Sequence, residues 1–293
     1  MPDSHRPKLA VVVIGYRAPA QIVDAVTSLL DQNTPLEIVV VNSGGGEVLA
    51  LLAGAGIKVP VIEVSRRLFV GAARNVGIAA TQAPFVAFLA DDCLACPGWA
   101  EARIERHLAG DRMVASAIVN SHPRNLIACA AHLIMYMRRL PGLPADRALR
   151  YGVSFDRRLF DEYGLFDETM RAGEDTNFLE RLARAPLPVW EPRVQTVHRN
   201  ETSLMRLFAD QYRRGYRRGD YLVASSPKTP FRFFRDTFHD RHNVRKLAKI
   251  GLSGRDRTFA MMSLPIVWLA LLVKSVGVYA GARDGAKAGK RPQ

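Results

Sequence analysis

Two short runs of mostly β-branched residues, Leu9 to Ile14 (LAVVVI) and Leu36 to Val41 (LEIVVV), constrain the fold of this chain more than any other feature. Each is almost continuously apolar rather than alternating, as expected of strands buried on both faces in parallel sheets covered by helices. Between and after them the period changes. Gln21 to Leu30 carries Ile22, Val26 and Leu29/Leu30 at helical spacing, and Val48 to Ala53 and Gly71 to Ala80 are also helical. Val59 to Val64 and Phe85 to Leu89 are two further strands. Strand and helix alternate through the first ~110 residues, which predicts an α/β fold with a doubly wound, mainly parallel sheet. In such sheets ligands bind outside the carboxyl ends of the strands. Gly15-Tyr16-Arg17, Asn42-Ser43 and Asp91-Asp92 all fall at those ends, so topology alone predicts that they share one edge.

The chemistry-bearing residues follow that frame. Asp91 and Asp92 stand directly after a strand signal in FVAFLADDC, and Glu174 and Asp175 stand at the head of an amphipathic helix in GEDTNFLERL. A lone histidine, His198, follows the next, Pro-broken strand-like run. Acids at a strand end, acids at a helix start and a histidine after a strand suit a divalent metal, a phosphorylated donor and a general base in one cleft. Each residue also has a plain structural reading. Asp91-Asp92 suit a turn, Glu174-Asp175 suit the positive end of a helix dipole, and a single histidine is commonly a surface or core residue. Cys93-Leu-Ala-Cys96 has the spacing of a thioredoxin-type pair, but the acidic pair before it does not fit that chemistry, and packing is the expected role.

A chain of 293 residues with 48% hydrophobic content buries a sizeable core, as one large domain or a domain with an appendage. Three cysteines make neither a disulfide framework nor a four-ligand zinc pattern, which fits a reducing compartment. The opening MPDSHRPKLA has no apolar signal-peptide core, so a cytoplasmic protein is expected. The formal net charge of +13 is concentrated late: Arg199 to Arg257 holds 15 Lys/Arg against 6 Asp/Glu. Nucleic acid, anionic lipid and phosphorylated small molecules all suit such a patch. The following Thr258 to Ala282 is apolar except for Lys274. A basic stretch leading into an apolar one, with Pro265 and Lys274 against a plain span, predicts an interfacial anchor at the cytoplasmic face of the membrane rather than a nucleic-acid site. A buried C-terminal helix with a solvated basic face is the alternative. The arginines and tyrosines from Tyr212 to Tyr221 have the pattern of a nucleic-acid patch, but the same pattern suits lipid phosphates and an aromatic belt, and the apolar tail beside it favours the membrane.

Taken in order, VVVIGYR, EIVVVNSGGG, GAARNVGIA, FLADDCLACPGW, FDRRLFDEYGLFDE, GEDTNFLERL and VHRNETS resemble the family-2 glycosyltransferases with the GT-A fold, over roughly Lys8 to Ser203. The resemblance implies inverting, metal-dependent transfer of a sugar from a nucleotide-sugar donor to an acceptor hydroxyl. It implies a GT-A catalytic domain over 1–203 and, with the tail, a helical membrane-associated region over 204–293. By the family's pattern Asp175 is the catalytic base and Glu174 orients it or the acceptor. Asp92 and His198 would hold Mg²⁺ or Mn²⁺, and Asp91 would reach ribose or metal. Gly15, Tyr16, Arg17, Asn42, Ser43, Arg74 and Asn75 match donor-binding positions. The chain departs from the pattern at Ala90, where a carboxylate is usual, and at Asn42, where the family usually has Asp to accept from the base. Those departures also admit a catalytically silent GT-A module that binds membrane or a protein partner. With the membrane-seeking tail, the expected acceptor is a lipid-linked or surface-glycan intermediate, with acceptor contacts in the less regular stretch from Ser116 to Phe160.

Overall fold

The computed structural model describes residues 6–182, 186–226 and 228–288. In chain order its elements are β1 (Leu9–Tyr16), α1 (Ile22–Leu30), β2 (Leu36–Ser43), α2 (Val48–Gly54), β3 (Val61–Val64), α3 (Val70–Ala79), β4 (Phe85–Ala90), β5 (Cys93–Ala95), α4 (Trp99–Leu108) and β6 (Met113–Asn120). There follow α5 (Leu126–Tyr136), β7 (Ser154–Asp156), α6 (Arg158–Tyr163), α7 (Glu174–Arg181), β8 (Val189–His198), α8 (Leu204–Ser225), α9 (Pro230–Gly251), α10 (Gly254–Met262) and α11 (Leu264–Ala288). They form two compact units, one of Met1–Ile118 with Pro144–His198 and one of Val119–Leu143 with Arg199–Gln293. The contiguous 1–203 segment expected from the sequence is thus interrupted. Helix α5 is apolar along most of its length, and it packs with α8, α9, α10 and α11.

In the first unit the strands form one sheet in the order β3-β2-β1-β4-β7-β6-β8-β5. The half containing β1 to β4 is parallel. Beyond it the pairs β4–β7, β6–β7 and β5–β8 are antiparallel, so the sheet is mixed rather than parallel throughout. Leu9, Val11, Val13 and Val40 are all 0% exposed within a core cluster that also takes Ile22, Val26 and Leu29 from α1. Burying each such side chain contributes roughly 1.5–3 kcal/mol, which is why two uninterrupted apolar runs fix the centre of the sheet. The register sets Gly15 beside Asn42, Tyr16 beside Ser43 and Ile14 beside Ala90, so the three strand ends predicted to meet lie on one edge.

The second unit is helical. Helices α8 and α11 run side by side in the same direction, brought together by glycines on both. A Cβ added at Gly215 or Gly219 would fall on the carbonyls of Lys274 or Val278, and one at Gly277 or Gly281 on those of Tyr212 or Tyr216. This reciprocal small-residue spacing lets the two backbones touch, as it does between helices in membranes. Pro265 sits in the first turn of α11, where its missing N–H costs nothing, so it starts the helix instead of breaking it. Val267, Ala270, Leu271, Ser275, Val278 and Ala282 are buried, while Trp268, Leu269, Leu272, Val276 and Tyr279 are 39–54% exposed. Leu264–Lys287 is long and apolar enough to cross a membrane by length and composition, and one face of it is already committed to packing.

Helix α4 carries a buried titratable group of consequence. The His107 ring stacks on Phe85 at 4.4 Å, with Nδ1 2.7 Å from the Asp111 carbonyl and Nε2 2.8 Å from Ser154 Oγ. Burial pushes its pKa down to about 4. A histidine whose folded pKa is depressed contributes stability above its unfolded value near 6.5 and loses it as pH falls towards 4. Urea unfolding should therefore show stability declining by about 3 kcal/mol across that window. In His107→Phe this decline should largely disappear; an equally steep decline in the variant would assign it to other groups.

Candidate active site

The turn after β1 is strained and held from two sides. Arg17 and Ala18 adopt φ of 60° and 48°, which residues with a Cβ seldom do. Arg17 N–H donates to the Ser43 carbonyl at 2.9 Å, and Ala18 N–H to Asn42 Oδ1 at 3.1 Å. Asn42 is 0% exposed, and its Nδ2 donates to the Gly45 carbonyl at 3.1 Å. Its amide thus ties the loop after β1 to the loop after β2. Gly44 has φ of +80°, and the Tyr16 ring lies where a Cβ would project. Tyr16 is exposed, with the guanidinium groups of Arg17 and Arg67 at 5.2 and 5.3 Å from its ring centre. The result is a cationic and aromatic rim at the carboxyl edge of the sheet. Gly15 is packed against Ile22 and Asn42, and Ser43 is buried.

A second group forms at the end of β4 and the start of β5. Cys93 pairs with His198 across the β5–β8 ladder, which sets His198 Nε2 3.4 Å from Asp92 Oδ2. The Cys93 thiol donates to Asp92 Oδ1 at 3.4 Å, and ligand atoms of Asp92, Cys93 and His198 all lie within 4.8 Å of one another. Strand β8 is pinned on its other side by Trp99 Nε1–H, which donates to Thr196 Oγ1 at 2.9 Å. Burial works to raise the Asp92 carboxyl, but the hydrogen bond and charge of His198 and the thiol outweigh it, leaving Asp92 below its ordinary range. Asp91 is shifted the other way, up, by burial and by the neighbouring Asp92, although Gln21 Nε2–H donates to it at 3.4 Å. Two adjacent carboxylates with opposed shifts thus stand side by side, Asp92 against an imidazole and a thiol.

The third group is built on α3 and α7. Arg74 Nη1 meets Glu174 Oε1 at 3.0 Å, and its guanidinium lies 5.0 and 5.1 Å from the ring centres of Phe88 and Phe166. Burial pulls the Arg74 pKa down, while Glu174 and Asp175 pull it back. Phe88 lies two residues before Ala90, so the ion pair links the head of α7 to the strand that delivers Asp91 and Asp92. Asp175, next to Glu174 and only part-buried, borders a cavity of about 50 Å³ lined by Arg74, Phe88, Tyr151 and Leu179. Tyr151 OH is 2.8 Å from Thr176 Oγ1, on the first turn of α7. Phe155, Phe160, Phe166 and Phe178 interlock with ring centres 4.8–6.2 Å apart and fasten this helix to the sheet.

Asn75 lies elsewhere than on the open edge. It is 5% exposed, with Nδ2 donating to the Phe166 carbonyl and Glu168 Oε1 and Oδ1 accepting from Phe166 N–H. It holds the 166–168 loop, and through Phe166 it supports Arg74. Sequence reasoning missed Cys93 as a neighbour of the acid–histidine pair, and missed Arg67, Gln21 and Tyr151 altogether. Cross-strand pairing with His198 brings Cys93 in, and loop geometry brings in the others, with no local signature in the sequence. The Cys96 thiol is pushed up by burial, opposite to what a redox cysteine needs.

Comparison with known proteins bears on the fold and the family. Residues 10–156 match the model of glycosyl transferase family 2. A mannosyltransferase, PcManGT from Pyrobaculum calidifontis, solved with GDP-Man and Mn²⁺, superposes with a TM-score of 0.57 at 16% identity, covering 97% of this chain and 88% of that one. Residues 1–349 of S. aureus TarS, solved with UDP-GlcNAc, superpose with a TM-score of 0.50 at 14% identity, covering 89% of this chain and 71% of that one. At these identities the two structures speak for the GT-A fold alone. Comparison with the curated proteins finds no match. With half of its length matched by the family model, the chain belongs to glycosyl transferase family 2, and it is a glycosyltransferase.

Proposed function

We propose that this glycosyltransferase moves a sugar from a nucleoside-diphosphate donor to an acceptor hydroxyl with inversion, using Asp175 as the base. The observation that carries the reading is the Arg74–Glu174 ion pair, which ties the acidic head of α7 to the end of β4 beside Asp91 and Asp92. A carboxylate on one side of a cleft and a phosphate site on the other is what in-line displacement requires. Asp175 would take the acceptor proton, and Glu174, already paired with Arg74, would position it. Tyr16, Arg17 and Arg67 offer a stacking and cationic rim for the nucleotide, and Gly15, Asn42 and Ser43 shape that rim from below. Asn75 acts on the donor only through the loop it holds.

Asp92 and His198 fit a hard divalent cation. They would supply one carboxylate and one imidazole, 3.4 Å apart and beside the Cys93 thiol, and Mg²⁺ and Mn²⁺ commonly take few protein ligands and complete their shell with phosphate and water. Such an ion would neutralise charge on the departing diphosphate. The fold neighbour PcManGT holds GDP-Man and Mn²⁺, and TarS holds UDP-GlcNAc, which supports a nucleotide-sugar donor here. The exposed apolar face of α11 and the basic helices around it support docking at the cytoplasmic face of the membrane, where a lipid-linked or surface-glycan acceptor would be met. We assign the catalytic function to the sheet-bearing unit and the docking function to the helical one.

Two variants separate base from scaffold. Asp175→Asn should lower turnover of the accepted donor by about 10²–10⁴ with stability nearly unchanged, read as released nucleotide across a panel of nucleotide sugars with Mn²⁺ or Mg²⁺. Unchanged turnover in that variant would remove Asp175 as the base. Glu174→Gln leaves the buried Arg74 without its partner and should cost about 3 kcal/mol of stability in urea unfolding as well as activity. His198→Ala should raise the metal concentration needed for half-maximal turnover by at least about tenfold; full activity in the presence of chelator would reject the metal.

A further inference from the structure

Helix α9 carries a feature that donor chemistry does not use. Arg241, Arg245 and Lys249 recur at four-residue intervals, flanked by His242 and Lys246, while Val244, Ala248 and Gly251 are buried. Together with Trp268 of α11 these five side chains line a groove of about 420 Å³. No carboxylate lines it. Among the described residues neither Arg245, Lys246 nor Lys249 lies in an ion pair. Arg241 is partly held, donating to the Phe238 carbonyl at 3.0 Å and stacking on its ring at 4.3 Å, which fixes one wall. Four permanent cations around one groove repel each other by an amount that a bound anion would relieve.

The groove also adjoins apolar surface. Trp268 is 43% exposed, and Leu269, Leu272, Val276 and Tyr279 continue from it along the open face of α11. Cations that close a groove at the end of an apolar stripe, with an indole at the junction, have the layering of a bilayer surface: phosphates outside, acyl chains inside, Trp between. We infer that this groove binds the phosphate of anionic phospholipid headgroups, orienting the helical unit on the membrane while the α11 stripe enters the acyl boundary. The inference rests on the membrane docking proposed above and adds a defined site and a lipid class to it.

Flotation of the full chain with vesicles of phosphatidylcholine alone, or mixed with phosphatidylglycerol, tests it. Wild type should prefer the anionic vesicles, and the preference should fall with salt. Arg245→Ala/Lys246→Ala/Lys249→Ala should weaken binding to the mixed vesicles by about a hundredfold while leaving donor turnover and residual binding to neutral vesicles unchanged. Leu269→Asp/Leu272→Asp should weaken binding to both kinds of vesicle. If wild type binds both vesicles equally, or the triple variant keeps its preference, the groove is not the headgroup site although docking stands. Binding to neither vesicle overturns docking and groove together. Competition by millimolar inorganic phosphate, or by duplex DNA in place of vesicles, would reassign the groove to a soluble anion or to nucleic acid.

Discussion

A guanidinium stays charged inside a protein only where the fold supplies compensation for lost water. Arg74 receives it from three directions: the carboxylate of Glu174, and the faces of Phe88 and Phe166. Each partner belongs to a different segment, α7, β4 and the loop before α7, so one buried cation fixes how these segments meet. The phenylalanine cluster adds apolar closure around it, and Asn75 braces the loop from behind. Removing Glu174 or Phe166 would leave the cation exposed to a low-dielectric interior. These three segments are therefore arranged around Arg74.

The loop after β1 relies on strain. Positive φ at Arg17 and Ala18 persists because Asn42 and Ser43 hold both residues from the neighbouring strand end. This gives Asn42 a physical role at a position where the family resemblance led to the expectation of an acid. An amide can accept from Ala18 and donate to Gly45 at once; a carboxylate can only accept. Ala90, the other departure, is exposed at the end of β4 and leaves the acidic element with two carboxylates.

Much of this was legible in the sequence, for a definable reason. Buried β-branched runs at Leu9 and Leu36, and helical spacing after each, located the first elements to within a residue or two, because a parallel sheet covered on both faces tolerates little else. Acids and a histidine at strand and helix ends were visible as types, and topology predicted the shared edge of the first three groups. What remained hidden depends on distance in three dimensions. Nothing local marks Asn75 as a loop brace, Arg67 as a neighbour of Tyr16, or α5 as a partner of the C-terminal helices. The mixed half of the sheet was likewise obscured, since β7 and β5 are only three residues each. Pro265 read as an obstacle to a long helix when it in fact begins one.

The proposed function requires the carboxyl edge of the sheet to hold a divalent ion and a diphosphate within reach of the acidic head of α7. Anomalous diffraction from crystals soaked with Mn²⁺ and a nucleoside diphosphate tests it most directly. One strong peak beside Asp92 and His198 is expected, with the nucleotide along the Tyr16–Arg17–Arg67 rim. A diphosphate bound away from that edge, or an ion that leaves both Asp92 and His198 uncoordinated, would contradict it.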